Sequence, residues 1–150
     1  MKKFEKVLVA LVGLSLILHY LSASGAALTG IIGLGALSLF YFFFGIAVLN
    51  DLKVKDIFKS KGKIGIGNKQ KMLGLYVAYM LAATCMAILF KLSQWPGASD
   101  MANISYFGLP LSIILVYLFK RKEPEFNTSP YYTRILAYAA FLAFLIIVMK

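Results

Sequence analysis

A chain of 150 residues that is 61% hydrophobic, with a mean hydropathy of +0.80, carries more apolar surface than a water-soluble domain of its size can bury, since ordinary usage is about half apolar. Its net charge of +10 lies in short stretches between long apolar runs, which is a membrane pattern and excludes a basic nucleic-acid-binding face. A single cysteine, Cys85, excludes an intramolecular disulfide and a cysteine-based metal cluster.

Spanning a hydrocarbon core of about 30 Å takes about 20 mostly apolar residues in a helix. Five segments meet that need: 7–23, 26–49, 72–90, 102–119 and 132–149. The expected fold is therefore all-α, a polytopic transmembrane bundle forming a single membrane domain over 1–150. The first 26 residues also have the form of a secretory signal peptide, with a basic start, an apolar stretch and small residues at Ala23-Ser24-Gly25-Ala26; cleavage there would leave four helices. The first and second helices are joined near Ser22-Ala23-Ser24-Gly25, a link short enough to force an antiparallel hairpin.

The segment 50–71 is the longest polar piece. Asp51–Phe58 has apolar residues at Leu52, Val54, Ile57 and Phe58, the pattern of a short interfacial helix, and Gly62–Gly67 reads as a flexible turn without the spacing of a phosphate loop. The lysines of 53–71 suit anionic lipid headgroups. The third and fourth helices turn through Trp95-Pro96-Gly97-Ala98, with Pro-Gly as the turn signal and Trp95 placed for the membrane interface. Segment 120–131 is the second polar loop. Of the 16 Lys and Arg residues, all but Lys91 and Lys150 fall on the N-terminal tail, on the stretch preceding the third helix, or around the link between the fourth and fifth helices, where Arg134 is counted with that link. The positive-inside rule then sets the N-terminus and the loops 50–71 and 120–131 in the cytoplasm, with the C-terminus outside.

Superposing Gly25-Ala26 on Gly97-Ala98 aligns the two hairpins at an offset of 72, with Leu18 on Phe90, His19 on Lys91 and Ile32 on Ile104. Both copies run in the same direction, so the pattern is a parallel duplication with a fifth helix added. Small residues at helical spacing mark packing faces: Ala26, Gly30 and Gly33 on the second helix, Ala78 and Ala82 on the third, Ala139 and Ala143 on the fifth. Pro110 is placed to kink the fourth helix. The polar residues that stand out as functional candidates are His19, Lys91, Asp100 and Asn103; an ion pair between Lys91 and Asp100 and a cross-helix hydrogen bond from Asn103 are the contacts they suggest. All six acids read as tail or loop residues, and no catalytic, metal-ligating or cofactor-binding set is recognisable.

The stretch Leu89-Phe90-Lys91-Leu92-Ser93-Gln94-Trp95-Pro96-Gly97-Ala98-Ser99-Asp100-Met101 resembles the helical hairpin of GldL/PorL, the inner-membrane motor subunits of Bacteroidetes gliding and type IX secretion. The shared pattern is Phe-Lys, a short spacer, Pro-Gly-Ala, a small polar residue, then Met two positions on, and the surrounding hairpin covers about a third of the chain. The position matching the family's buried glutamate is Leu109, and Lys91 is the one functional position retained. The resemblance implies a bacterial inner-membrane protein with a hairpin fold. The expected function is that of a small, non-catalytic accessory or assembly subunit of a larger membrane complex. The alternatives are an oligomeric small-solute or ion transporter or channel, with His19, Lys91 and Asn103 at its outer vestibule, and a lipid- or quinone-binding membrane protein. Partners on any of these readings are the bilayer and another membrane protein or further copies of the chain.

Overall fold

The computed structural model describes residues 2–21, 25–52 and 67–148. They form five helices and no strand: α1 (Lys2–Tyr20), α2 (Ala26–Leu49), α3 (Asn68–Leu92), α4 (Ala98–Lys122) and α5 (Ser129–Val148). The all-helical architecture expected from the apolar runs is thus present. Three stretches are long and apolar enough to cross a membrane on the described residues: Leu28–Leu49, Asn68–Leu92 and Ala98–Lys122. The first two turns of α1 carry Lys2, Lys3, Glu5 and Lys6, which dilutes its apolar stretch. The interfacial segment at Asp51–Phe58, the turn at Gly62–Gly67, most of the lysine-rich loop and the link through Ser22–Ser24 lie outside the described residues.

Four helices extend past the apolar limits read from the sequence. An apolar run ends where hydrocarbon ends, but the i→i−4 ladder continues as long as polar residues can bond along it. Asn68–Lys71 therefore begin α3, and Ala98–Met101 begin α4. The consequential correction is at the N-terminus. Helix α1 starts at Lys2 instead of residue 7, and this draws Glu5 out of the expected tail into the helix.

The 72-residue offset recurs in the backbone. Helix α1 ends at Tyr20 and α3 at Leu92; α2 begins at Ala26 and α4 at Ala98. Both second helices start from a left-handed glycine, Gly25 at φ 95° and Gly97 at φ 84°. An L residue in that region crowds its Cβ against the following carbonyl. No other atom lies within 4 Å of a Cβ added at Gly97, so Gly97→Ala should lower stability by its conformational cost alone, roughly 1–2 kcal/mol, read as a shift in thermal unfolding.

The hairpins α1–α2 and α3–α4 pack through α2 against α3, the most extensive helix pair. Ala78 and Ala82 are buried, and the Ser38 hydroxyl donates to the carbonyl of Ala82 at 3.0 Å. A Cβ added at Gly45 would stand 2.3 Å from that of Ala78, so the two backbones meet here as closely as side chains permit. Gly33 meets the backbone and side chain of Val12 on α1, and Gly30 faces Ser15. Leu34, Leu37, Val77, Leu81, Cys85 and Ile88, each at most 1% exposed, fill the centre. Helix α5 adds Tyr131, Ile135, Tyr138 and Leu142 to this core. Of the Phe40–Phe44 aromatic run, Phe40 and Tyr41 turn inward while Phe42 and Phe43 remain exposed. Helix α4 is unbroken from Ala98 to Lys122 through Pro110, whose ring removes the donor for the carbonyl of Tyr106.

Candidate binding cleft

Among the described residues, the backbone of α1 packs closely against α2, while that of α5 lies against α2, α3 and α4; α1 and α5 meet through side chains. A cleft of about 330 Å³ is left between α1 and α5, with Leu37 and Tyr41 of α2 as its floor. Its walls are Val9, Val12 and Gly13 on one side and Ala137, Tyr138 and Phe141 on the other. The lining is almost wholly apolar, apart from one end where Glu5, Tyr41, Thr133 and Arg134 converge.

That polar end is ordered by a paired charge. The Arg134 guanidinium donates from Nε to Glu5 Oε1 at 2.6 Å and from Nη2 to Oε2 at 2.7 Å. This is the two-pronged geometry that a planar guanidinium gives to a carboxylate. Tyr41 donates its hydroxyl to the same Oε1 at 2.6 Å, and Tyr138 lies 3.4 Å from the Tyr41 oxygen. The rings of Tyr41 and Tyr138 meet edge-on at 5.6 Å. Arg134 also donates from Nη1 to the carbonyl of Pro130, which holds it against its own helix. Three of the five guanidinium N–H donors are thereby engaged among the described residues. Glu5 is only 7% exposed, so its charge depends on these partners, because an unpaired buried carboxylate is strongly unfavourable.

Local sequence explains the placement. Glu5, Leu8, Val12 and Ser15 recur at helical spacing and form the buried face of α1. On α5 the corresponding face is Tyr131, Ile135, Tyr138 and Leu142, with Arg134 beside it. Neither Glu5 nor Arg134 stood out in the sequence, where one was assigned to the tail and the other counted among loop cations. The signal was the register of Glu5 with the apolar stripe of α1, and a lone arginine inside an apolar helix.

A second polar knot sits at the same end of the bundle. Asn50 Oδ1 accepts from Gln70 Nε2 and from the Tyr131 hydroxyl, each at 2.9 Å, while its Nδ2 donates to the carbonyl of Ile46. It ties α2, α3 and α5 together below the cleft's polar end. Lys120 folds back onto the carbonyls of Pro124 and Phe126, closing the α4–α5 link.

The residues singled out in the sequence lie largely elsewhere. His19 is in the last turn of α1; its side chain, like that of Ala26, is outside the described residues. Lys91 and Asn103 converge with Ser99 and Tyr106 on a cavity of about 200 Å³ at the opposite end of the bundle. Asp100 is exposed in the first turn of α4 and does not line that cavity; no ion pair joins it to Lys91 among the described residues. Asn103 is exposed and makes no cross-helix hydrogen bond among those residues, because α4 turns it toward the open side of the cavity instead of the α3 interface. Trp95 is exposed, with its ring edge-on against Phe90 at 5.2 Å, next to exposed Pro96. Ala139 and Ala143 border a smaller cavity beside Pro110. Among the described residues no cluster of His, Cys, Asp or Glu has the makings of a metal site.

Comparison with known protein families, with curated proteins and with solved structures gives no match.

Proposed function

We propose that the chain is a non-catalytic bacterial inner-membrane protein that holds an uncharged, lipid-soluble amphiphile of the quinone or neutral-lipid class in the α1–α2–α5 cleft. The observation that carries this is an apolar cleft of about 330 Å³ ending in a neutralised guanidinium. A lipid-soluble molecule partitions into the apolar length. Its carbonyl-type acceptor takes the N–H donors that Arg134 does not spend on Glu5 and Pro130. Because Glu5 already cancels the arginine charge, a charged headgroup gains little there, and an uncharged one has no desolvation penalty to overcome.

On this reading the chain crosses the bilayer five times, with the N-terminus cytoplasmic and the C-terminus periplasmic. The lysine-rich tail and loops support that orientation. On that orientation the polar end of the cleft lies near the cytoplasmic headgroups. The hairpin resemblance to GldL/PorL supports a Bacteroidetes inner-membrane origin. The filled centre of the bundle favours binding over passage of a solute through a single chain. The accessory-subunit reading is compatible with ligand binding and is favoured by the exposed rings of Phe42, Phe43 and Phe107, at 55%, 64% and 79%, which offer ready contacts to another membrane protein.

Gly13 supplies the test. It lines the cleft, and a Cβ built there meets no atom within 4 Å, so Gly13→Phe should fill the space while leaving the bundle folded. Wild-type protein extracted from its host should carry one uncharged amphiphile enriched over its share of the membrane, and Gly13→Phe should lose that enrichment. Extracts that mirror bulk lipid in both proteins would refute the reading.

A further inference from the structure

The cavity at the Lys91 end does not stop at its polar rim. It shares Tyr106 and Leu142 with the smaller cavity of about 140 Å³ that continues along α4 and α5 past Leu109 and Pro110 to Ala139 and Ala143. The two form one groove. Its upper part, about 200 Å³, is lined by an ammonium, an amide, a hydroxyl and a phenol, from Lys91, Asn103, Ser99 and Tyr106, and by no carboxylate. Its lower part is apolar apart from the shared Tyr106, since the Ser105 hydroxyl is already bonded to the carbonyl of Met101 at 3.2 Å.

The order of these parts along the helices matches a lipid. Lys91 lies at the end of α3 beside Trp95, the ring type that settles at the headgroup layer. Pro110 lies near the middle of α4, a helix long and apolar enough to span. The groove therefore runs from headgroup depth toward the hydrocarbon. A free anion would use only its upper part, and a soluble peptide would leave the apolar part without a fitting partner. Gly97 gives α4 no side-chain cap, so the first-turn N–H groups beside Ser99 add positive potential at the rim, partly offset by Asp100, which lies in the same turn but does not line the cavity. We propose that the α4–α5 groove binds an anionic phospholipid, its phosphate against Lys91, Ser99 and Asn103 and one acyl chain along Leu109, Pro110 and Ala143. The site is separate from the α1–α5 cleft, on the other side of α5, and requires the opposite headgroup chemistry.

The test is native mass spectrometry of the full chain in neutral detergent, titrated with phosphatidylglycerol, with phosphatidylcholine, and with inorganic phosphate. Phosphatidylglycerol should bind preferentially, and Lys91→Gln should reduce that preference roughly fivefold, the effect of one cation at the membrane surface. Ala143→Leu, at an exposed position, should block the tail while leaving the fold intact, which separates loss of the site from loss of folding. Gly13→Phe should leave phosphatidylglycerol binding unchanged. Equal retention of the two lipids, preference unaffected by both Lys91→Gln and Ala143→Leu, full competition by inorganic phosphate, or a dimer that excludes the lipid would each overturn the proposal.

Discussion

Replacing Arg134 with leucine is expected to destabilise the chain by about 3–5 kcal/mol, the range for breaking a buried ion pair from one side. The substitution keeps the volume near Ile135 and Tyr138 apolar, so packing loss is small. What it removes is the ion-pair partner, among the described residues, of a carboxylate that is 7% exposed, leaving Glu5 with the Tyr41 hydroxyl. Glu5→Leu combined with Arg134→Leu should recover most of the loss, because both charges then leave together and only their hydrogen bonds to Tyr41 and Pro130 are forfeited. Denaturation in mixed micelles, run as a double-mutant cycle, measures the coupling directly. If the two single variants are as mild as ordinary surface changes, Glu5 and Arg134 are not held in the buried pair that closes the cleft.

Gly45→Ala carries the second large effect, and it reports on the packing of the two hairpins. The new methyl would lie 2.3 Å from the Ala78 Cβ and 3.2 Å from its Cα. Neither atom can swing away, so α2 and α3 must separate along their most extensive contact. Overpacking of this kind costs about 1–3 kcal/mol. The paired change Gly45→Ala with Ala78→Gly moves the methyl across the interface and should restore most of the stability. Gly35→Ala is the control: nothing lies within 4 Å of its Cβ, and removing a helical glycine there should add about 0.5–1 kcal/mol. Melting temperatures of the three variants, set against the wild type, check the series.

The helices were legible because the bilayer imposes them: long apolar runs cannot satisfy their backbone groups in any other open form. The repeat was legible as well. The offset of 72 read from two Gly-Ala pairs reappears in the helix ends at Tyr20 and Leu92 and in the left-handed glycines Gly25 and Gly97. What escaped the sequence was the role of charge. Glu5 follows two lysines and precedes a third, so composition assigns it to a solvated tail. Only the extension of α1 to Lys2 turns it inward, where Arg134 lies 129 positions away in the chain. A pairing over that separation depends on how three helices pack, and no local pattern encodes it. Lys91 and Asn103 were visible as polar residues near a turn. Their convergence with Ser99 and Tyr106 follows from the tight α3–α4 hairpin, while the Asp100 partner suggested for Lys91 fails because α4 carries it to the exposed side.

An uncharged amphiphile held in the α1–α2–α5 cleft, as proposed, should stay with the chain through a gentle purification. Native mass spectrometry of protein purified from its own membrane in mild detergent tests it most directly. One discrete adduct per chain is expected, uncharged in its headgroup, present in the wild type and in Ala143→Leu but absent from Gly13→Phe. The same adduct on folded Gly13→Phe, or no discrete adduct on the wild type, would contradict it.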